Sequence, residues 1–185
     1  IFANEYIYQI YLETKDTVNA IASIQKSIEL FPEEPWFMQN LINLYINSGQ
    51  EDKAIEYLDI AISREPNVGQ YYNSKGSILA RIGRFEESFA EFDKAIALEP
   101  TNALFISSLG YAYIDLGNKI NDDATYLSAK EYKKEKVKID AAFKKALEYF
   151  EKAYELEPTN DEYKRSLRTM YYRLGMNDKY EALAD

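Results

Sequence analysis

Any chemistry in this chain falls to carboxylates, amides and hydroxyls, because its 185 residues include neither histidine nor cysteine. Serine–histidine and cysteine–histidine nucleophilic pairs are therefore excluded, as are imidazole and thiolate metal sites. The seven glycines build neither a GxxxxGKS or GxxxxGKT loop nor a GxGxxG run, so no phosphate cradle of those kinds is present. Asp122 and Asp123 lack the glycine and the spaced oxygens of a calcium loop. Carboxylate pairs abound, yet with 31 acidic against 22 basic residues they read as solvated charge on helix surfaces. The expectation is a protein that is not an enzyme, with no catalytic residue, cofactor or metal.

The elements that hold the polar groups recur with a step of 34 residues. Pro32, Pro66 and Pro100 keep that step, as do Tyr11, Tyr45, Leu79 and Tyr113. Ala20, Ala54 and Ser88 supply a small residue, followed by Ile24, Leu58 and Phe92, then by Ser27, Ala61 and Ala95. Gly49, Gly83, Gly117 and Gly175 stand where the chain should turn. Gly76 to Pro100 is the cleanest copy. There Gly76 lets one helix approach its neighbour, Gly83 turns the chain, Phe92 and Ala95 fill the inner face of a second helix, and Pro100 stops it.

This set resembles the tetratricopeptide repeat, whose 34-residue unit runs aromatic, Leu-Gly, Tyr, Ala, Phe, Ala, Pro. The resemblance covers nearly the whole chain and implies an all-α fold: a right-handed α-solenoid of antiparallel helix pairs, held by packing between neighbouring repeats. The sequence divides into repeats at 1–34, 35–68, 69–102, 103–160 and a partial, capping unit at 161–185, read together as one domain. In the first, Ile7, Tyr8 and Tyr11 are expected to face inward, and Lys15 replaces the turn glycine, so the first helix is expected to be either frayed or capped by upstream sequence. In the last, Arg168 replaces the close-packing glycine, as a capping unit tolerates.

The fourth unit breaks the period. Pro100 to Pro158 is 58 residues, 24 more than one step, which places an insertion at about 118–141. Ala129, Tyr132 and Ile139 extend the stripe Phe143, Ala146, Phe150 and Ala153 backwards at helical spacing. This predicts one extended helix from about Asp123 to Leu156, with Asn121, Asp122 and Asp123 as its cap and first turn and residues 118–126 as a loop. Burying Leu127, Tyr132 and Ile139 against a neighbouring helix or a partner is worth about 5 kcal/mol in all. Its lysine-rich start, with Tyr132, Lys133, Lys134 and Lys136, is a second candidate contact, a partner arm.

In the family the first helix of each repeat lines a concave groove. That implies Glu5, Tyr6 and Gln9 in the first repeat, then Gln39, Asn40, Asn43 and Asn47, then Asn73, Ser74, Ser77 and Arg81. Ser107, Ser108 and Tyr111 follow in the fourth and Arg165, Thr169 and Arg173 in the fifth. Gln39, Asn40, Asn43, Asn47, Asn73, Ser77, Arg81 and Tyr111 are the candidate peptide-binding residues. Side-chain amides carry a donor and an acceptor together, so a row of them pairs with a peptide backbone whatever its sequence. The lysine and asparagine clamp that some family members use for a C-terminal carboxylate is not matched, because Glu5 and Gln9 occupy those positions.

The functional expectation is a non-catalytic protein–protein interaction module that binds a peptide or partner segment in the groove. Two alternatives stay open: a structural or assembly scaffold acting through the convex face and the protruding helix, and a regulatory domain of a larger protein. The net charge of −9 opposes nucleic acid and anionic membranes, and no apolar run is long enough to insert in a bilayer. Partners are therefore proteins or peptides, with a homodimer left open. The chain begins at Ile1 within a helical pattern, as in a fragment or processed chain, and its ending is similar to repeat proteins exported by bacteria. Periplasm or cell envelope and cytoplasm both remain open.

Overall fold

Turn chemistry sets the helix ends. In the computed structural model, which describes residues 1–183, the described residues form ten helices and no strand. They are α1 (Phe2–Glu13), α2 (Thr17–Leu30), α3 (Pro35–Asn47), α4 (Glu51–Arg64), α5 (Gly69–Arg81), α6 (Phe85–Leu98), α7 (Ala103–Asp123), α8 (Ala129–Leu156), α9 (Asp161–Arg173) and α10 (Asn177–Ala182). The fold class is all-α, a solenoid of antiparallel helix pairs. Gly49, Gly83 and Gly175 take φ of 68°, 81° and 69° in the short turns within pairs. In each, an amide just past the turn bonds back into the last helical turn, as in Gln50 N to Tyr45 O at 2.9 Å and Arg84 N to Leu79 O at 2.8 Å. Lys15 does the same without being glycine. Its φ is +58°, and Asp16 N reaches Tyr11 O at 2.8 Å, so the first turn is regular and not frayed.

The chain forms two compact units, residues 1–67 and residues from Val68 onward. In the first unit Tyr8, Ala20, Ile24, Phe37, Leu41, Tyr45, Ala54 and Leu58 are buried. Tyr8 meets Trp36 edge-on at 5.7 Å, and Gln25 Nε2 donates to both Tyr45 and Tyr57 hydroxyls at 3.1 Å. Asp16 caps α2 by accepting from Asn19 N, and Pro35 opens α3 where no amide is needed. Ile7 does not face inward as the pattern suggests; it is 44% exposed.

The second unit is built on phenylalanine rings laid against glycines. A Cβ on Gly76 would sit 3.0 Å from the Phe92 ring, and one on Gly110 would sit 3.2 Å from Phe150. Backbones approach this closely only where no side chain intervenes. The insertion corrects the sequence reading here. Gly117, expected at a turn, lies buried inside α7, where a Cβ would meet Phe143 at 2.7 Å. Residues 118–123 continue α7 and do not form a loop, so both helices of the pair are lengthened. Asn121, Asp122 and Asp123 end α7; the cap of α8 is Ser128, whose side chain and Glu131 bond reciprocally to each other's backbone amides. The long helix thus starts at Ala129, six residues later than expected, because that capping box fixes its first turn.

Candidate functional site

Helix α3 buries Phe37, Met38, Leu41, Ile42, Leu44 and Tyr45, which leaves one narrow strip for solvent. Gln39, Asn43 and Asn47 occupy it at steps of four, so they lie on one line along the helix. All three are exposed, and their amides have no hydrogen-bond partner among the described residues. Asn40 is half-buried, and its Nδ2 donates to Trp36 O at 2.8 Å, which takes its donor out of play.

In the second unit the candidates separate. Ser77 and Arg81 are exposed at a step of four on α5, with Ser77 Oγ donating to Asn73 O at 2.9 Å. Asn73 is not on the open face: it is 6% exposed, and its Oδ1 is buried with no partner. Tyr111 is half-buried, its ring edge-on to Phe150 at 4.9 Å. Its hydroxyl donates to Glu162 at 3.0 Å and sits 2.8 Å from Ser166 Oγ, so it ties α7 to α9 and is not free for a ligand. Burial holds its pKa above the usual tyrosine value. Of the sequence-derived positions, Gln39, Asn43, Asn47, Ser77 and Arg81 are thus exposed, Ser77 with its hydroxyl already bonded to Asn73 O, whereas Asn40, Asn73 and Tyr111 are turned inward or engaged.

The extension of α7 and α8 presents the second candidate set. Ile139 is buried, but Leu127 stays 42% and Tyr132 36% exposed, so only part of the expected apolar contact forms. Tyr132 donates to Asn121 Oδ1 at 3.1 Å, and Lys136 pairs with Asp140 at 2.8 Å. Lys133 and Lys134 are exposed and form no ion pair among the described residues. Near them Tyr126 is 97% and Val137 69% exposed.

Arg168, Tyr172 and Tyr180 were not among the sequence-derived groove positions, whereas their neighbours Arg165 and Thr169 were. Arg165, Arg168, Thr169, Tyr172 and Tyr180 line a cleft of about 380 Å³ between α9 and α10. The available signal was Arg168 itself, which stands where other repeats carry glycine. Among the described residues no group of acidic side chains is arranged to hold a metal ion, and no helix is long and apolar enough to cross a membrane.

Family models described as tetratricopeptide repeat match residues 11–78 and, separately, 69–102 and 142–160. Over 104 residues the chain is 33% identical to the UDP-N-acetylglucosamine–peptide N-acetylglucosaminyltransferase of Giardia intestinalis, covering 55% of this chain and 7% of that protein. Over 118 residues it is 27% identical to the small glutamine-rich tetratricopeptide repeat-containing protein 2 of Mycosarcoma maydis, covering 64% of this chain and 34% of that one. The chain thus spans about a third or less of these curated relatives. Among solved structures, MamA from Desulfovibrio magneticus RS-1 aligns with a TM-score of 0.66 at 19% identity, over 98% of this chain and 88% of that one. The human IFIT1 dimer with m7Gppp-AAAA aligns at 0.70 and 20% identity, over 89% of this chain and 35% of that one. At such identities the likeness is one of fold.

Proposed function

The chain belongs to the tetratricopeptide repeat family, and from that premise we propose that it is a non-catalytic protein-interaction module whose first-helix faces hold an extended peptide. The observation that carries this reading is the open amide line Gln39, Asn43 and Asn47. Four helical residues rise about 6 Å, and two residues of an extended strand rise about 6.6 Å. Each amide therefore meets every second residue of a peptide lying along α3, where it offers a donor and an acceptor to the backbone. Ser77 and Arg81 repeat the step of four on α5 in the second unit. The transferase activity in the Giardia relative's name is not carried over, because the match covers 7% of that protein.

The test is selection of peptides from a random display library on the immobilised chain, followed by calorimetry. Replacing Gln39, Asn43 and Asn47 together by alanine is expected to weaken a selected peptide about tenfold or more, equivalent to roughly 1.4 kcal/mol. Unchanged affinity in that variant sinks the reading.

A second reading is favoured by one observation, the unpaired Lys133 and Lys134 beside the exposed Val137. In it the extended hairpin docks on a partner and the chain is an assembly scaffold. Charge reversal at Lys133 and Lys134 abolishes partner capture under this reading and leaves it intact under the first.

A further inference from the structure

The cleft between α9 and α10 arises where the last repeat abandons the packing rule of the others. In the third repeat Gly76 faces Ser88, whose Oγ donates to Gly76 O at 2.8 Å. Gly110 and Ala146 hold the same register positions in the fourth, and Arg168 and Tyr180 hold them in the fifth. Two small residues are thus replaced by two large ones. The helices cannot close over them as they do over Gly76 and Gly110; the Arg168 guanidinium carbon lies over the Tyr180 ring, 4.7 Å from its centroid, and space remains beside it.

That space is lined by two guanidiniums, one hydroxyl and two phenol rings, with no carboxylate on its wall. Neither Arg165 nor Arg168 forms an ion pair among the described residues, and Arg168 Nε is shielded from solvent with no acceptor. Arg165, Arg168, Thr169 and Tyr172 fall at steps of three and four, on one face of α9. Tyr172 is 70% exposed and leans toward Tyr180, with ring centroids 5.8 Å apart.

From this geometry we infer that the α9–α10 cleft is a carboxylate-recognition site for an acidic peptide segment. Arg165 and Arg168 pair with a glutamate or aspartate side chain, and Tyr172 covers the neighbouring apolar side chain. Planar guanidiniums match carboxylates with two parallel hydrogen bonds, and Arg168 is already held in place by its contact with the Tyr180 ring. A cleft of about 380 Å³ fits one or two side chains. A nucleic acid strand needs many phosphate contacts, which a chain of net charge −9 opposes elsewhere. The inference rests on the interaction-module reading and names a second contact for the same class of partner.

The experiment is a fluorescence-anisotropy titration of the full chain with a fluorescein-labelled hexapeptide of alternating glutamate and phenylalanine, beside the same peptide with glutamine in place of glutamate. The glutamate peptide is expected to bind about tenfold tighter or more, and Arg165→Ala and Arg168→Lys are each expected to weaken it about tenfold. Arg168→Lys keeps charge and stem, and circular dichroism of both variants checks the fold. Equal binding of the two peptides, unchanged binding in both arginine variants, or no binding at all overturns the site. Displacement of the glutamate peptide by oligo(dT) at equal concentration overturns an acidic peptide as the occupant. The amide-row substitutions on α3 are read separately, so the site can fall while the interaction reading stands, and the reverse.

Discussion

The third and fourth helix pairs do the same packing with different lengths of chain. Helices α5 and α6 have 13 and 14 residues, joined by three; α7 and α8 have 21 and 28, joined by five. The 24 extra residues are therefore shared between both helices and the connection, and the pair grows as a hairpin without shifting what lies below it. At the base, Phe92 on Gly76 and Phe150 on Gly110 are equivalent contacts. Above it, Phe143 on Gly117 copies that contact one level up. The comparison shows that a repeat can be extended if its ring-on-glycine contact is repeated along the new length.

The largest effect should come from removing the base contact. Phe150→Ala is expected to cost about 3–5 kcal/mol in urea unfolding, because its ring is fully buried. Phe143→Ala is expected to cost roughly half as much, since that ring is 8% exposed and is covered in part by the Arg173 guanidinium at 4.8 Å. Equal costs would mean the extension is as much core as the base.

Deletion of residues 119–142 tests the same point from the other side. It joins Asn118 to Phe143, which brings Gly117 to the register of Gly83 and Phe143 to that of Phe85. The shortened chain is expected to fold and to melt cooperatively by circular dichroism, with Gly117 turning the chain. Complete unfolding would show that the base does not stand alone.

Alkali should find the tyrosines of this unit next. Burial, and then the hydrogen bond to Glu151 at 2.9 Å, push the Tyr171 hydroxyl up to about 12. Burial likewise raises Tyr111, Tyr113, Tyr149 and Tyr163. An unfolded tyrosine ionises near about 10. Because the folded value is the higher one, the stabilisation is intact below that pH and is lost as pH rises from there toward 12. Thermal melts across this window should show a steep fall in Tm, made shallower by Tyr171→Phe.

The smallest effect belongs to the first unit. Lys15 holds φ +58°, where Gly49 holds 68°. Lys15→Gly is expected to raise stability by about 0.5–1 kcal/mol, the relief of a left-handed non-glycine less the added freedom of the unfolded chain. A fall in Tm would show that the lysine side chain stabilises that turn.

Much of this was legible in residue spacing, and the failures share a cause. The prolines and glycines at steps of 34 mark helix ends through local backbone chemistry, so the pairs could be read directly. Gly117 could not, because glycine serves both as a turn and as a place for a ring, and its register with Gly83 pointed to the turn. What decides it is Phe143, which lies far along the sequence. Of the candidate positions, the exposure of Gln39, Asn43 and Asn47 along one line was legible because it needs only helical periodicity. Asn73 and Tyr111 were misjudged because their burial depends on what packs over them. Arg168 was visible as a departure from the repeat, but its meaning required Tyr180 to be placed beneath it.

Gly110 and Gly117 are seven residues apart, and so are Phe143 and Phe150. Seven residues are two helical turns, about 10 Å of rise, after which a straight helix has rotated by only about 20° from its starting bearing. Another ring and glycine added at the same interval would lift the tip by that increment and leave it pointing the same way. The hairpin is a ruler graduated in steps of two turns, and the reach of its tip is set by how many graduations the chain contains.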